Sequence, residues 1–160
     1  MYRSLLKVWL PILLVGGLIF YFSSQPYSKQ SLIPFLESVK ALDVIGKYFS
    51  TISFHYSGRE VSVAALGTYN FIEFFIRKGA HFFIFFLLGF LTIRALYLTF
   101  KKKRRGILIA LIFVGMYAAF DEFHQSLTGG RTPLIEDVML DSLGGMFGII
   151  VGIILYYLRK

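Results

Sequence analysis

The chain has 160 residues, of which 56% are hydrophobic and only 16% are charged. An ordinary soluble domain has about 45–50% apolar and about 25% charged residues, and a fold of this length has too small an interior to bury the excess. The composition therefore argues against a soluble monomer and excludes disordered, coiled-coil and collagen-like chains. The absence of cysteine excludes disulfides, thiolate metal sites and cysteine nucleophiles. The net charge of +8 must be interpreted from where the charges lie.

Four segments are long enough, or nearly so, to cross a bilayer, whose core needs about 20 mostly apolar residues in a helix. They cover residues 5–22, 79–100, 107–126 and 142–158, approximately. No strand-like alternation competes over these stretches. We therefore predict an all-α membrane protein, built as one domain (residues 1–160) with a four-transmembrane-helix bundle. The first segment could be a cleaved signal peptide, but the sequence Phe22-Ser23-Ser24-Gln25 lacks the small residues of a cleavage site and favours a retained helix.

The segment between the first two spans, residues 23–76, has a mixed pattern. Hydrophobic residues recur every three or four positions over residues 32–49, which is typical of an amphipathic helix lying on the membrane or capping the bundle. Residues 52–63 alternate around Ser57-Gly58, which is typical of a short hairpin. We expect an extracytoplasmic amphipathic helix, a short hairpin, and a helical lead into the second span over residues 64–76.

The basic residues predict the orientation. Residues 101–105, between the second and third spans, are five cations without an acid. With four spans, this loop lies on the same side as both termini, which carry Arg3, Lys7, Arg159 and Lys160. The positive-inside rule makes that side cytoplasmic, and all nine carboxylates then fall on the opposite side. The net charge therefore reflects an asymmetry across a membrane beside anionic lipid, and no nucleic-acid partner is expected.

The third span contains the main functional signal. Its apolar run, residues 107–120, makes about 21 Å of helix, whereas the hydrocarbon core is about 30 Å thick. The helix must therefore continue through residues 121–125, which places acids and a histidine below the membrane surface. Ionisable residues at such depth are costly, face the bundle or a wet cavity, and are usually functional.

Two other polar pairs are expected at the same depth. Lys78 and His81 share one helix face at the start of the second span, and Asp137 and Asp141 share one face before the fourth. Arg131 lies in a predicted turn between the third and fourth spans. The predicted outward-facing pocket is formed by the polar side chains of these segments, namely Lys78, His81, Asp121, Glu122, His124, Gln125, Arg131, Asp137 and Asp141.

Three glycines in the fourth span, Gly144, Gly148 and Gly152, form two overlapping small-xxx-small steps. Such steps let another helix approach closely, so they indicate packing and not chemistry. The partner could be a helix of the same chain or a second copy, and the oligomeric state stays open.

Several stretches together resemble the VanZ-like family of bacterial membrane proteins, named after a teicoplanin-resistance protein. They are Phe22-Ser23-Ser24-Gln25-Pro26, Arg77-Lys78-Gly79-Ala80-His81-Phe82, Asp121-Glu122-Phe123-His124-Gln125, Gly130-Arg131 and Asp137-Val138-Met139-Leu140-Asp141-Ser142-Leu143-Gly144. The resemblance implies a multi-pass protein of the bacterial cell membrane, with a role in the cell envelope and in low-level resistance to teicoplanin-like glycopeptides. The family usually has an aromatic residue and a proline shortly before the Gly-Arg pair, where this chain has Leu127 and Gly129.

Two functions and one structural alternative fit the pocket. In the first function, the pocket binds the headgroup of an envelope lipid or cell-wall precursor. Lys78 and Arg131 would donate hydrogen bonds to its phosphate, and the carboxylates would accept hydrogen bonds from its hydroxyls. In the alternative, Lys78 pairs with Asp121, and Arg131 pairs with Asp137 or Asp141, only to hold the helices together.

The second function is a membrane-embedded hydrolase or transferase acting on an envelope phospholipid or glycolipid. His81 or His124 would be the general base, oriented by Asp121 or Asp141. No cofactor is required, although two imidazoles and several carboxylates could hold a divalent metal that activates water. The spacing in Glu122-Phe123-His124 is not diagnostic of such a site, because side chains at i and i+2 diverge on a helix.

Overall fold

The computed structural model describes residues 2–39, 42–100, 103–128 and 133–159, with backbone alone at residues 2–5, 43 and 45. Within these residues there are four long helices, four short helices and one pair of strands. In chain order they are α1 (Tyr2–Ser23), α2 (Tyr27–Gln30), α3 (Ile33–Glu37), α4 (Leu42–Tyr48), β1 (Ser53–Tyr56), β2 (Arg59–Ser62), α5 (Val63–Leu66), α6 (Thr68–Thr99), α7 (Lys103–Ser126) and α8 (Ile135–Leu158).

Helices α1, α6, α7 and α8 are each long and apolar enough to cross a membrane. This confirms the predicted all-α membrane fold with four spanning helices. Two helices begin earlier than the predicted spans, α6 at Thr68 and α8 at Ile135. With 32 residues, α6 is about 48 Å long, so it extends well beyond a hydrocarbon core of about 30 Å. Asp137 and Asp141 consequently lie within α8 and not before it.

A short antiparallel hairpin connects to α6 through α5. Strands β1 and β2 pair with Phe54 opposite Val61. Both turn residues, Ser57 and Gly58, have positive φ angles of 51° and 74°, which is the geometry that two-residue hairpin turns require. The hairpin pattern in the sequence is therefore found as predicted, whereas residues 32–49 contain the short helices α3 and α4 in place of one amphipathic helix.

The most extensive helix contact joins α6 and α8. The glycines of α8 make it possible, because a Cβ atom at Gly144 or Gly148 would collide with the main-chain carbonyl of Phe82 or Phe86 on α6. A Cβ atom at Gly152 would collide with the side chain of Ile93. The glycine face of α8 therefore packs against α6 of the same chain.

The two ends of the bundle differ in charge. At one end the Lys103 ammonium group lies 5.2 Å from the ring centres of both Tyr97 and Tyr156, which brings together the end of α6, the start of α7 and the end of α8. We call this the basic end, since Arg104, Arg105 and Arg159 lie there too. At the opposite end α1 and α7 finish, α8 begins, and the buried acidic residues are found.

Candidate functional site

Three spanning helices bring ionisable side chains to one level of the bundle. His81 on α6, Asp121 on α7 and Asp141 on α8 each lie about 18 residues, or about 27 Å of helix, from the basic end. Their equal distance from the basic end follows from the helix lengths alone. The packing of α6 against α8 then brings the side chains towards one another. We call these three residues the His–Asp–Asp cluster.

The cluster is compact and largely closed. Nδ1 of His81 lies 3.4 Å from Oδ2 of Asp141. Each of the three residues offers an oxygen or ring nitrogen, and these atoms all lie within 4.8 Å of one another. The two aspartates are each 2% exposed, while a third of the His81 side chain is exposed. The arrangement can hold a proton between imidazole and carboxylate, or bind a cation.

The two buried carboxylates have different surroundings. Both oxygens of Asp121 accept hydrogen bonds, one from the Ser23 hydroxyl at the end of α1 and one, at 2.8 Å, from Nε2 of Gln125 on the next turn of α7. Oδ1 of Asp141 is buried, and no hydrogen-bond partner for it is found in the part of the chain that the structure describes. Burying a carboxylate oxygen without a hydrogen-bond partner costs free energy, so the burial of Asp141 is less well compensated than that of Asp121.

A second group of polar residues lies one helical turn away, towards the start of α6. Asp137 accepts hydrogen bonds from the ammonium group of Lys78 and from the hydroxyl of Tyr56 on the hairpin. The Lys78 ammonium group also lies 4.7 Å from the Tyr56 ring centre. Burial and the neighbouring Asp137 raise the pKa of the Tyr56 hydroxyl above its usual value, so it remains a donor over the physiological range. The hairpin therefore covers this end of the bundle.

Other predicted pocket residues have separate roles in the structure. Glu122 accepts a hydrogen bond of 2.7 Å from the backbone N–H of Leu134, where a carboxylate favours the start of α8 electrostatically. The His124 ring stacks on Phe20 of α1 at 4.2 Å between ring centres. Its buried Nδ1 has no hydrogen-bond partner within the described residues. Arg131 falls outside the described residues, so its predicted place in the pocket remains a prediction.

The ion pairs differ from those considered from the sequence. Lys78 pairs with Asp137 and not with Asp121. In the part of the chain that the structure describes, neither Asp121 nor Asp141 forms a salt bridge with lysine or arginine, and His81 is the basic group beside Asp141. Within the described residues, the two buried aspartates of the cluster therefore have His81 as their one basic ion-pair partner.

Two buried polar residues were missed in the sequence analysis. Ser23, which donates to Asp121, ends the first span and had been considered only as part of a family stretch. Glu73 is 1% exposed and accepts hydrogen bonds from the Tyr27 hydroxyl at 2.8 Å and the Leu32 N–H at 2.6 Å. The signal for Glu73 was available, since a lone acid within a run of aromatic and aliphatic residues needs buried partners.

A comparison with protein families shows which family the chain belongs to. A family model described as VanZ/LLP1 matches residues 8–157. The chain belongs to the VanZ/LLP1 family. The match covers nearly the whole chain, so the four spanning helices and the His–Asp–Asp cluster lie inside the family domain, and the resemblance seen in the short stretches is confirmed. Neither a curated protein nor a solved structure matches the chain.

Proposed function

We propose that this VanZ/LLP1-family protein binds the polar headgroup of an envelope lipid or a lipid-linked cell-wall precursor at the acidic end of its bundle. That end faces the outside of the bacterial cell membrane, and the basic end with both termini faces the cytoplasm. The cationic residues of the basic end support this orientation through the positive-inside rule. Lower susceptibility to teicoplanin-like glycopeptides is the expected consequence in cells, because such compounds act on the same envelope surface.

The observation that carries the proposal is the burial of ionisable side chains from three spanning helices at one level of the bundle. A charged residue within a membrane span costs about 2.5–3.5 kcal/mol on insertion scales. Asp121 and Asp141 are almost fully buried, and simple helix packing does not need them, because the glycines of α8 already give a close α6–α8 contact. Binding of a polar molecule at this end is a reason for retaining them.

An open apolar groove lies beyond Lys78, towards the start of α6. It has a volume of about 360 Å³ and is lined by Phe49, Ile52, Phe71, Ile72, Phe75 and Ile76. Phe71, Phe75 and Lys78 follow the spacing i, i+4, i+7, so they lie on one face of α6. This groove lies further from the basic end than Lys78, so it can hold an apolar part of the bound molecule that projects out of the bilayer. The Lys78 ammonium group can then donate to phosphate, and Asp137 can accept from sugar or glycerol hydroxyls.

Mass spectrometry of lipids that co-purify with the protein tests the proposal. We expect an envelope lipid or precursor enriched over the bulk membrane, and its loss in the double variant Lys78→Gln/Asp137→Asn, which removes the charges without leaving one unpaired. Arg94→Gln is the matched control, because Arg94 is an exposed cation of the same helix nearer the basic end. An identical lipid profile in the double variant and the control would reject headgroup binding at this place.

A membrane-embedded hydrolase or transferase is the second candidate, and the His81–Asp141 contact of 3.4 Å favours it. A carboxylate that orients an imidazole is the usual arrangement of a general base. Incubation of the purified protein with isotope-labelled envelope phospholipids or glycolipids should then yield a modified headgroup. His81→Gln should stop product formation while bound lipid is retained, and failure of the wild type to form product from any of these lipids would count against the enzyme.

A further inference from the structure

We propose that His81, Asp121 and Asp141 together bind one divalent metal ion. The site is formed wholly by protein atoms at the level where α6, α7 and α8 meet, next to the end of α1. Both proposals draw on the burial of Asp121 and Asp141, but the headgroup experiment changes Lys78 and Asp137, one turn further along. Loss of lipid in that double variant and loss of metal in the variants below therefore test the two proposals separately.

The donor atoms are of the right kind and close enough. An imidazole nitrogen and two carboxylate oxygens lie within 4.8 Å of one another. Donors at about 2.0–2.2 Å from a single ion are at most about 4.4 Å apart, so small side-chain rotations suffice to reach coordinating distance. All three side chains are on long helices, which fixes their positions more firmly than loops would.

An independent observation points to a missing ligand at Asp141. The residue is 2% exposed, and its Oδ1 atom finds no hydrogen-bond donor within the described residues. An oxygen in this state has unused lone pairs. A metal ion would satisfy it and would balance the second buried carboxylate, which repels the first at this separation.

Asp121 has the environment of a metal ligand held in place. The Ser23 hydroxyl and the Gln125 amide donate to its two oxygens, which fixes the orientation of the carboxylate and leaves lone pairs on both oxygens. Groups that hydrogen-bond to a metal ligand in this way orient it and tune the affinity. Ser23 comes from α1 and Gln125 from α7, so three helices and the end of a fourth take part in the site.

The donor set suggests which ions are bound. One imidazole with two carboxylates suits Zn²⁺ or Mn²⁺ better than Ca²⁺, which prefers oxygen ligands alone. Three protein ligands leave at least one coordination position open. Since a third of the His81 side chain is exposed, water or a phosphate oxygen could reach that position.

Metal content and metal titration test the site on the full chain in lipid nanodiscs. Protein purified without chelators should contain about one equivalent of Zn²⁺ or Mn²⁺ by elemental analysis. After chelator treatment, Mn²⁺ should bind with a stoichiometry of one and give electron paramagnetic resonance signals with nitrogen coupling from His81. A protein that holds no ion as purified and binds no Mn²⁺ or Zn²⁺ up to millimolar concentration would overturn the proposal.

Graded variants separate a metal ligand from a structural residue. Ser23→Ala should weaken Mn²⁺ binding about 10–100-fold, as is usual for a group that orients a ligand, and Asp141→Asn should weaken it further. His81→Gln should remove the nitrogen coupling, which a purely structural role would not change. Glu60→Gln, an exposed acid on the hairpin, is the control and should bind as the wild type does. Equal Mn²⁺ affinity in Asp141→Asn and Glu60→Gln would overturn the proposal. If Asp141→Asn does not fold, the nitrogen coupling is compared between the wild type and His81→Gln instead, and an unchanged coupling would overturn the proposal.

Discussion

The middle and the end of the α6–α8 contact are formed by the same two helices and have opposite chemistry. In the middle, Gly144 and Gly148 bring the helix backbones together against the carbonyls of Phe82 and Phe86, without ionisable side chains. At the end, His81 faces Asp141 and Lys78 faces Asp137. The first region stabilises the pair by close packing, whereas the second places costly charged groups where helix packing does not require them.

The comparison shows how one region positions the other. In lipid, helices associate mainly through van der Waals packing and hydrogen bonds between them, and small residues at the contact permit a close approach. The glycines determine how near α8 comes to α6, so they also determine the distance between histidine and aspartate along the same contact. Changes in the middle should therefore damage both the fold and the cluster, and changes at the end should damage the cluster with less effect on the fold.

The largest effect is expected for Gly148→Ala. The new Cβ atom would overlap the carbonyl oxygen of Phe86, and because the obstacle is backbone, the helices must separate. We expect a loss of about 3 kcal/mol or more in the free energy of unfolding, at the upper end for overpacking, as measured by denaturant titration in detergent micelles. Gly115→Ala is the control, since nothing lies within 4 Å of its added Cβ, and equal stability of the two variants would contradict the packing argument.

An intermediate effect is expected at the Lys78–Asp137 pair. Lys78→Gln and Asp137→Asn should each destabilise the protein, because each leaves a partly buried charge unpaired. The double variant should be less destabilised than the sum of the two, with a coupling of about 1–3 kcal/mol. In the matching double-mutant cycle with Arg94→Gln in place of Lys78→Gln, the two losses of stability should add. Additive losses in both cycles would show that Lys78 and Asp137 are not coupled.

The smallest effect is expected for Tyr56→Phe, which removes a hydroxyl donor to Asp137. A loss of about 1 kcal/mol is expected for one hydrogen bond of this kind. Because burial and Asp137 raise the pKa of Tyr56 in the folded protein, its contribution is complete below about pH 10, where unfolded tyrosine is also neutral, and declines at higher pH. The stability gap between wild type and variant should therefore stay constant up to about pH 9 and narrow as the pH rises to about 11.

An exposed tyrosine is available as the control variant. Tyr48 is 81% exposed, so Tyr48→Phe should change the free energy of unfolding by less than about 0.5 kcal/mol. A gap for Tyr56→Phe that stays constant up to pH 11 would show that the hydroxyl is not protected from ionisation by its neighbours.

Much of the fold could be predicted because it depends on local composition. The four spans follow from apolar length, and the hairpin from the alternation around Ser57-Gly58. The helical lead into the second span, predicted over residues 64–76, is found as α5 and the start of α6. The start of α8 at Ile135 lies before the predicted fourth span, because hydropathy detects the bilayer-spanning part of a helix and not the polar turns that continue it. Pairing partners were also missed, since helical spacing tells which residues share a face but not which neighbouring helix that face meets. Lys78 was accordingly considered with Asp121, whereas the structure pairs it with Asp137.

The sequence by itself predicted four helices able to span a membrane, which the structure confirms, and it predicted that acids and histidines lie below the membrane surface at one end. Both predictions follow from counting residues against bilayer thickness. Only the tertiary structure decided that His81, Asp121 and Asp141 form one compact cluster, that Ser23 donates to it, that Tyr56 donates to the neighbouring Asp137, and that His124 stacks on Phe20. These facts depend on the rotation of each helix about its axis. That rotation is set by packing between helices, above all at the glycines of α8, and packing is not visible in any one segment.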